Sequence, residues 1–301
     1  MNFKTLELSD FTNLKPFYEN IPFQACDFTF ANLYIWKDLY PVEFAIYGDK
    51  LIFRGFYQNN APVYLFPFGG NSTETNLKDS INTLFEDAHA FGSPLVLRGF
   101  SEKEAALLQK LFPDQFALSS SPSQWDYLYL REDLMQLSGS RYHGKRNHIA
   151  HFKKSYPDYS FVPITAENIT DCQKISEKWY AHREEEGIPN ALQDKAVVER
   201  ALLHFTELPF TGGLLYADGE PVAYTIGEPI NSDTYVVHIE KAFSWIPGAY
   251  PMINQCYVTA FMDGYTYVNR EEDDGIEGLR KAKQSYHPCR MVEKQVAREI
   301  R

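Results

Sequence analysis

The sequence predicts an α+β protein of two tandem domains, each a mixed, mostly antiparallel sheet flanked by helices. Three observations predict it. The chain has 301 residues, enough for two domains at roughly 150 residues each. Hydrophobic residues make up 44% and aromatics 15%, which supports packed cores and argues against disorder. Two turn dipeptides, Gly48-Asp49 and Asp218-Gly219, each join two runs of β-forming residues, one pair in each half of the chain.

In the first half, Ser9 or Asp10 caps a helix reaching about residue 20, because a short acceptor side chain satisfies free N–H groups there. Phe30 to Trp36 reads as a short helix. Glu43–Tyr47 and Lys50–Phe53 flank the first turn, and Val63–Phe66 follows as a third strand. Asn76 to Ala90 carries Ile81, Leu84, Phe85 and Ala88 at the spacing of one helix face. Pro94–Arg98 is a strand. Ser101 opens the next helix, with Glu104 completing a capping box, and Trp125 to Leu130 is strand-like.

The second half repeats the theme. Ala166 to Glu186 is a helix with Ile175 and Trp179 on one face, and Ala191 to Phe205 is another. Leu214–Ala217 and Glu220–Ile226 flank the second turn, and Thr234–Lys241 is the next strand. Tyr250–Met262 is a helix, Tyr265–Asn269 a strand and Ile276–Tyr286 a helix. No residue-level repeat is visible, but both halves run helices, meander, helix, strand, helix, strand. That order is similar to a tandem of the acyltransferase fold of the GCN5-related N-acetyltransferase (GNAT) type. It predicts an N-terminal domain over 1–135 and a C-terminal domain over 136–301, the second carrying the site.

Charge narrows the partners. The chain holds 29 Lys+Arg against 40 Asp+Glu, a net charge of −11, so no basic coat is available for generic nucleic-acid or membrane binding. The charge is uneven, however. Residues 141–154 (Arg-Tyr-His-Gly-Lys-Arg-Asn-His-Ile-Ala-His-Phe-Lys-Lys) hold five Lys and Arg, three His and no acid. A solvated helix normally interleaves both signs. If the segment is helical, Lys145, His148 and Phe152 share one face, with Arg146, Ile149 and Lys153 on the next. Such cations beside a groove would bind the phosphates of a donor; a solvated helix balancing acids elsewhere is the alternative. Cys26, Cys172, Cys256 and Cys289 lie far apart with no CxxC pair, so neither a zinc site nor a disulfide framework is expected. The early acids exclude a signal peptide, and no stretch is long and apolar enough to span a membrane. A cytoplasmic protein with free thiols and no metal is expected.

Three further segments carry candidate chemistry. On the strand Tyr235–Ala242, His238 and Glu240 share a face with Val236, so either could serve as a base in a cleft; a polar surface row is the competing reading. Asp273 and Asp274 sit where a strand gives way to a helix, which suits the helix dipole and equally suits a substrate amine. Ser244–Tyr250 leads into a helix whose free N–H groups could bind phosphate at Gly248. The coenzyme A loop of GNAT enzymes, (Arg/Gln)-x-x-Gly-x-(Gly/Ala), is not matched there: Trp245 and Tyr250 stand at the flanking positions. No P-loop, GxGxxG, HExxH or GxSxG element occurs.

Two blocks then carry a family resemblance. They are Gly144-Lys-Arg-Asn-His-Ile with Phe152 and Tyr156-Pro157, and Val268-Asn-Arg-Glu with Asp274-Gly275, Gly278-Leu-Arg-Lys-Ala-Lys and Ser285-Tyr286. With the opening Pro22–Trp36, they resemble proteins related to the C-terminal domain of phosphatidylglycerol lysyltransferase, over nearly the whole chain. The resemblance implies two GNAT-like domains, similar also to Fem-type peptidyltransferases, which move an aminoacyl group from aminoacyl-tRNA to a hydroxyl or amine. The lysyltransferases carry a large membrane-embedded part that this chain lacks, so a lipid acceptor is not implied.

The expected function is therefore acyl or aminoacyl transfer. The expected donor is aminoacyl-tRNA or, as the alternative, acyl-CoA; a non-catalytic binding or regulatory role is a second alternative. The expected catalytic residues are Glu240 or His238 as base and Tyr286 as acid. Asn269, Arg270, Glu271, Asp273, Asp274, Arg280 and Lys283 would contact substrate. Lys145, Arg146, Lys153, Lys154 and Gly248 would hold donor phosphates.

Overall fold

The structure, a computed structural model, describes residues 1–19, 21–56, 61–70, 73–187, 192 and 194–300. The expected starts of the helix at Ala191 and the end of the first helix near residue 20 lie outside the described residues.

The chain forms two seven-stranded sheets. In order it runs β1 (Lys4–Thr5), α1 (Phe11–Tyr18), α2 (Phe30–Trp36), β2 (Val42–Tyr47), β3 (Lys50–Phe56), β4 (Pro62–Leu65), α3 (Glu74–Ala90), β5 (Val96–Phe100), α4 (Glu102–Leu111) and β6 (Phe116–Ser120). It continues with β7 (Asp126–Leu130), α5 (Arg131–Gln136), α6 (His143–Ser155), β8 (Ser160–Pro163), α7 (Ile169–Glu185), α8 (Lys195–Leu203), β9 (Thr211–Ala217), β10 (Glu220–Pro229) and β11 (Thr234–Ala242). It closes with α9 (Ala249–Phe261), β12 (Tyr267–Asn269), α10 (Glu277–Gln284), β13 (Arg290–Val292) and β14 (Gln295–Glu299). The expected architecture, an α+β tandem of GNAT-like sheets flanked by helices, is the one observed.

Local chemistry explains several elements. Ser101 and Glu104 form the reciprocal capping box at α4. Thr29 caps α2 through the Asn32 amide, and Thr73 caps α3 through the Asn76 amide. On α3, Leu77, Ile81, Leu84 and Ala88 are buried, a stripe at helical spacing that seats it on its sheet.

The sheets exchange strands. The first has the order β1-β2-β3-β4-β5-β14-β6, so the strand nearest the C-terminus sits inside the sheet of the first half. The second has the order β13-β7-β12-β11-β10-β9-β8, with β7 of the first half between β12 and β13. Residues 126–130 thus lie before the 135/136 division and pair in the second sheet; residues 295–299 lie after it and pair in the first. The sequence reading places Trp125–Leu130 as the closing strand of the first half. Tyr127, Leu128 and Tyr129 are all buried, and a strand buried on both faces belongs inside a sheet with neighbours on each side.

Among the described residues no helix is long and apolar enough to cross a membrane. All four cysteines are free thiols.

Candidate functional site

The site grows from a fork in the second sheet. β11 and β12 run parallel and pair only from Thr234↔Tyr267 to Val236↔Asn269. Beyond Asn269 the chain stays bonded to β7, through Arg270 N–H to the Tyr127 carbonyl at 2.9 Å and Tyr127 N–H to the Glu271 carbonyl at 3.1 Å. It thereby leaves β11. On the other side of β11, the pairing with β10 slips between Ile226 and Gly227, leaving His238 as the extra residue. Such a bulge bends the strand and re-aims its side chains. It needs glycine at 227, where a Cβ would run into the Val236 carbonyl oxygen.

Side chains from four elements fill this fork. Arg270 Nη2 donates to Glu240 at 2.9 Å, and the two side chains are 13% and 11% exposed. Asn254 of α9 donates to the other Glu240 oxygen at 3.3 Å. Burial costs the Arg270 guanidinium, yet Glu240 raises its pKa overall. The guanidinium lies 4.8 Å from the Tyr286 ring centroid. Burial pushes the Tyr286 phenol well above its ordinary value, against the opposing Arg270 charge.

The cationic helix α6 meets this cluster at its N-terminal end. Lys145 Nζ sits 3.7 Å from the Tyr286 ring centroid, an electrostatically favourable placement, and donates to Ser285 Oγ at 2.7 Å. Tyr142 OH donates to the Tyr286 carbonyl at 2.9 Å. The cationic segment and the 268–286 block therefore lie against each other. Burial, then the nearby Arg270 charge, lowers the Lys145 pKa to about 8.

The other residues picked out in sequence occupy distinct places. Both ring nitrogens of His238 are engaged, with Glu271 at 2.7 Å and Glu228 at 3.0 Å. Burial opposes its charge, but the two carboxylates raise its pKa to about 9. Lys283 donates to the carbonyls of Arg270, at 2.6 Å, and Glu272, fixing the loop that carries Arg270. Asp273 accepts from Arg280 at 2.9 Å and from Tyr127 at 2.7 Å; those bonds, Arg280 foremost, hold it down at about 2. Asp274 is exposed at the next position.

Arg146 turns to the carbonyls of Leu137 and Gly139, where it closes the end of α5. Lys153 and Lys154 are exposed and stand about 12 Å further along α6 than Lys145, at the rise of an α-helix. Gly248 precedes α9 with φ +88. A Cβ there would collide with the His148 carbonyl oxygen of α6, so α6 backbone presses on the start of α9.

Sequence reasoning passed over two groups. One is Asn254 with Thr225, which stands directly opposite Glu240 in the β10–β11 register; a polar residue between Ile253 and Tyr257 of an apolar helix was the available signal. The other is a buried charge cluster where the exchanged strands begin. Lys294 Nζ lies 2.5 Å from Asp27, 2.6 Å from Asp126 and 3.1 Å from Glu272. Asn269 Nδ2 donates to the same Asp126 at 2.8 Å, which ties the cluster to the loop carrying Arg270. Cys26, Asp27 and Asp126 are spaced like metal ligands, but the Lys294 ammonium already stands among them, 3.6 Å from Cys26 Sγ.

Comparison with known proteins agrees with this architecture. A protein from Bacteroides thetaiotaomicron, a conserved protein of unknown function, superposes with a TM-score of 0.93 at 36% identity over 99% of both chains. The C-terminal domain of a protein assigned as a lysylphosphatidylglycerol synthetase from Agrobacterium fabrum superposes with a TM-score of 0.61 at 14% identity, over 86% of this chain and 83% of that one. A GNAT-family acetyltransferase from Colwellia psychrerythraea covers both chains completely at 10% identity with a TM-score of 0.50. In sequence, an uncharacterized protein of Mycoplasmoides gallisepticum is 23% identical over 184 residues, 59% of this chain and 57% of that one, so the match spans little more than half of that relative. The family model described as phosphatidylglycerol lysyltransferase, C-terminal, matches residues 18–298, and the chain belongs to that family.

Proposed function

We propose that this protein is an aminoacyl transferase. It moves an aminoacyl group from an aminoacyl-tRNA-like, phosphate-bearing donor to an amine or hydroxyl of its acceptor. The observation that carries this reading is the Arg270–Glu240 pair in the fork. Arg270 directs Nη2 to Glu240 and interacts with the Tyr286 side chain, while its buried Nη1 has no well-formed hydrogen bond. A buried unpaired donor is costly, and a carbonyl oxygen in the fork relieves that cost. As the acceptor attacks, this oxygen becomes negative and the fixed Arg270 charge stabilises it.

The remaining steps follow the chain's own groups. The acceptor N–H or O–H gives its proton to the Glu240 carboxylate as its heteroatom bonds to the acyl carbon. The ester C–O bond to the donor ribose then breaks. The leaving oxygen takes a proton from Tyr286, whose phenol burial keeps protonated at neutral pH. Lys145 supplies positive charge at the rim for a donor phosphate. His238, bound at both nitrogens, orients Glu271 and the loop after β12.

Two observations support an aminoacyl donor over acyl-CoA. The α6 backbone presses on Gly248, on the helix start that a pyrophosphate would need. The family carries a lysyltransferase name. The reading is tested by titrating the protein with tRNA at several salt concentrations. Binding that weakens steeply with salt, and weakens further in Lys145→Ala, is expected. Salt-independent binding, or a rise in melting temperature with coenzyme A alone, overturns it.

A further inference from the structure

Glu240 and Lys241 are neighbours on β11 and point to opposite faces of the sheet. Glu240 meets Asn254 of α9. Lys241 meets α7 instead. Its ammonium lies 3.8 Å from the Trp179 ring centroid and 4.9 Å from that of Tyr180, and it pairs with Asp194 at 2.7 Å. Arg183 stands 4.9 Å from the Trp179 centroid. This wall already holds two of the chain's own cations against aromatic faces.

The wall ends in an open ring. Trp245, in the loop after β11, stacks on buried Phe243 with centroids 4.4 Å apart and planes 13° apart. His182 meets it in a T-shaped contact at 4.6 Å. Trp245 is still 48% exposed, so its outer face opens to solvent. A single exposed tryptophan needs no explanation; this one is fixed from behind, so a ligand meets it at little ordering cost. Glu186 lies 3.4 Å from His182 and 3.6 Å from Arg183, and Glu184 and Glu185 beside it are exposed. With Asp194, the carboxylates here outnumber Lys241 and Arg183. The cationic helix α6 lies on the other side, against the start of α9.

The wall also reaches the reacting groups. β11 ends two residues beyond Glu240, about 7 Å at the rise of a strand. Across that end, Tyr250 OH of α9 accepts from Trp179 Nε1 of α7 at 3.0 Å. Burial raises the Tyr250 pKa and the Glu240 charge adds to the rise, so Glu240 and this phenol are close neighbours.

We propose that the outer face of Trp245, with the Glu186 carboxylate, holds a positively charged nitrogen of the acceptor. This rests on the aminoacyl-transfer reading and names the acceptor's class: an amine that carries a second, cationic nitrogen. A phosphate-bearing donor brings negative charge and suits α6, so a cation on the Trp245 side belongs to the acceptor. The amine at the other end reacts in its neutral form. Its nitrogen bonds to the acyl carbon, its proton passes to Glu240, and the ester C–O bond breaks to a donor hydroxyl protonated by Tyr286. Trp245 is a specificity-determining residue.

The test uses the full chain with a small diamine and a basic peptide. Cadaverine is compared with pentylamine, and acetyl-lysyl-lysinamide with acetyl-lysyl-norleucinamide, so each pair differs in the second charge. Binding is followed by protein NMR shifts. In at least one pair the dication should bind about fivefold or more tighter, as for a cation on an aromatic face; the pair that shows it tells diamine from peptide. Trp245→Leu should remove the preference although the net charge stays −11, which leaves generic attraction unchanged. Trp245→Phe should keep part of it, and Glu186→Gln should reduce it. Given tRNA charged with a labelled amino acid, the preferred dication should take up the label as an amide, and less so in Trp245→Leu. Equal affinity within both pairs, a preference that survives Trp245→Leu, or label that passes to hydroxylamine but not to the bound dication overturns the proposal. A preference lost in Trp245→Leu, with no label passing to any amine, removes the transfer reading and the acceptor role with it, while the cation site stands.

Discussion

Lys294 Nζ lies 2.6 Å from the Asp126 carboxylate, at the point where the two exchanged strands begin. Asp126 opens β7, lent to the second sheet, and Lys294 immediately precedes β14, lent to the first. Both side chains are buried, and Asp27 and Glu272 share the same ammonium. Burial pushes the Asp126 carboxyl up, Lys294 opposes that rise and Glu272 adds to it. One cation therefore closes the seam between the halves and, through Asn269, steadies the loop that carries Arg270.

Removing that cation should be severe. Lys294→Met leaves three carboxylates facing one another, and breaking a buried pair this way costs about 3–5 kcal/mol. Urea unfolding should show the loss. The double variant Lys294→Met with Asp126→Asn should recover part of it, because one uncompensated charge is gone. Full additivity of the two substitutions would contradict the pairing.

Strand exchange makes the halves interdependent. A chain ending at residue 294 loses β14, which among the described residues is the strand joining β5 to β6 in the first sheet. Amide exchange in β5 and β6, encoded some 200 residues earlier, should rise to the rate of unprotected chain. Unchanged protection there would show that the first sheet closes without β14.

His238 gives stability a pH dependence with a defined sign. Its pKa is raised from 6.5 to about 9, so the folded state holds the proton more tightly than the unfolded chain. The resulting stability is fully present below about pH 6.5 and is lost as pH rises toward 9. Glu228 and Glu271 are the carboxylates on its two nitrogens. Melting temperature should fall between pH 6.5 and 9, and His238→Gln should flatten the part of that fall due to this residue. An equal slope in the variant would assign the proton elsewhere.

Much of this was legible locally. The Ser101–Glu104 capping box and the two hairpin turns depend on residues within a few positions of each other. Lys145, Glu240, Arg270 and Tyr286 stood out because cationic, acidic and aromatic residues are conspicuous at their positions. The exchange of β7 and β14 was not legible, because the pairing that decides it links residues such as Asp126 and Lys294 across most of the second half. Asn254 and Thr225 were hidden for another reason. Their interest lies in atoms left unpaired after folding, and no spacing rule marks those.

Lys145 should make donor binding depend on pH. Its pKa of about 8 means the ammonium is lost as pH rises through 8, so affinity for tRNA should weaken between pH 7 and 9. In Lys145→Arg the charge persists, and the affinity should stay level over that range. A wild-type affinity that does not change from pH 7 to 9 would remove Lys145 from the donor site.

The central claim concerns Arg270 and Glu240, and one measurement reaches it without knowing the acceptor. Aminoacyl-tRNA labelled in the amino acid is mixed with the protein and hydroxylamine as a surrogate nucleophile, and aminoacyl hydroxamate is counted above the uncatalysed background. The account predicts catalysed release by the wild type. It predicts a loss of about a hundredfold or more in Arg270→Lys, which keeps the charge beside Glu240 but removes the Nη1 donor, with little change in melting temperature. Wild-type release no faster than background, or undiminished release in a folded Arg270→Lys protein, would contradict it.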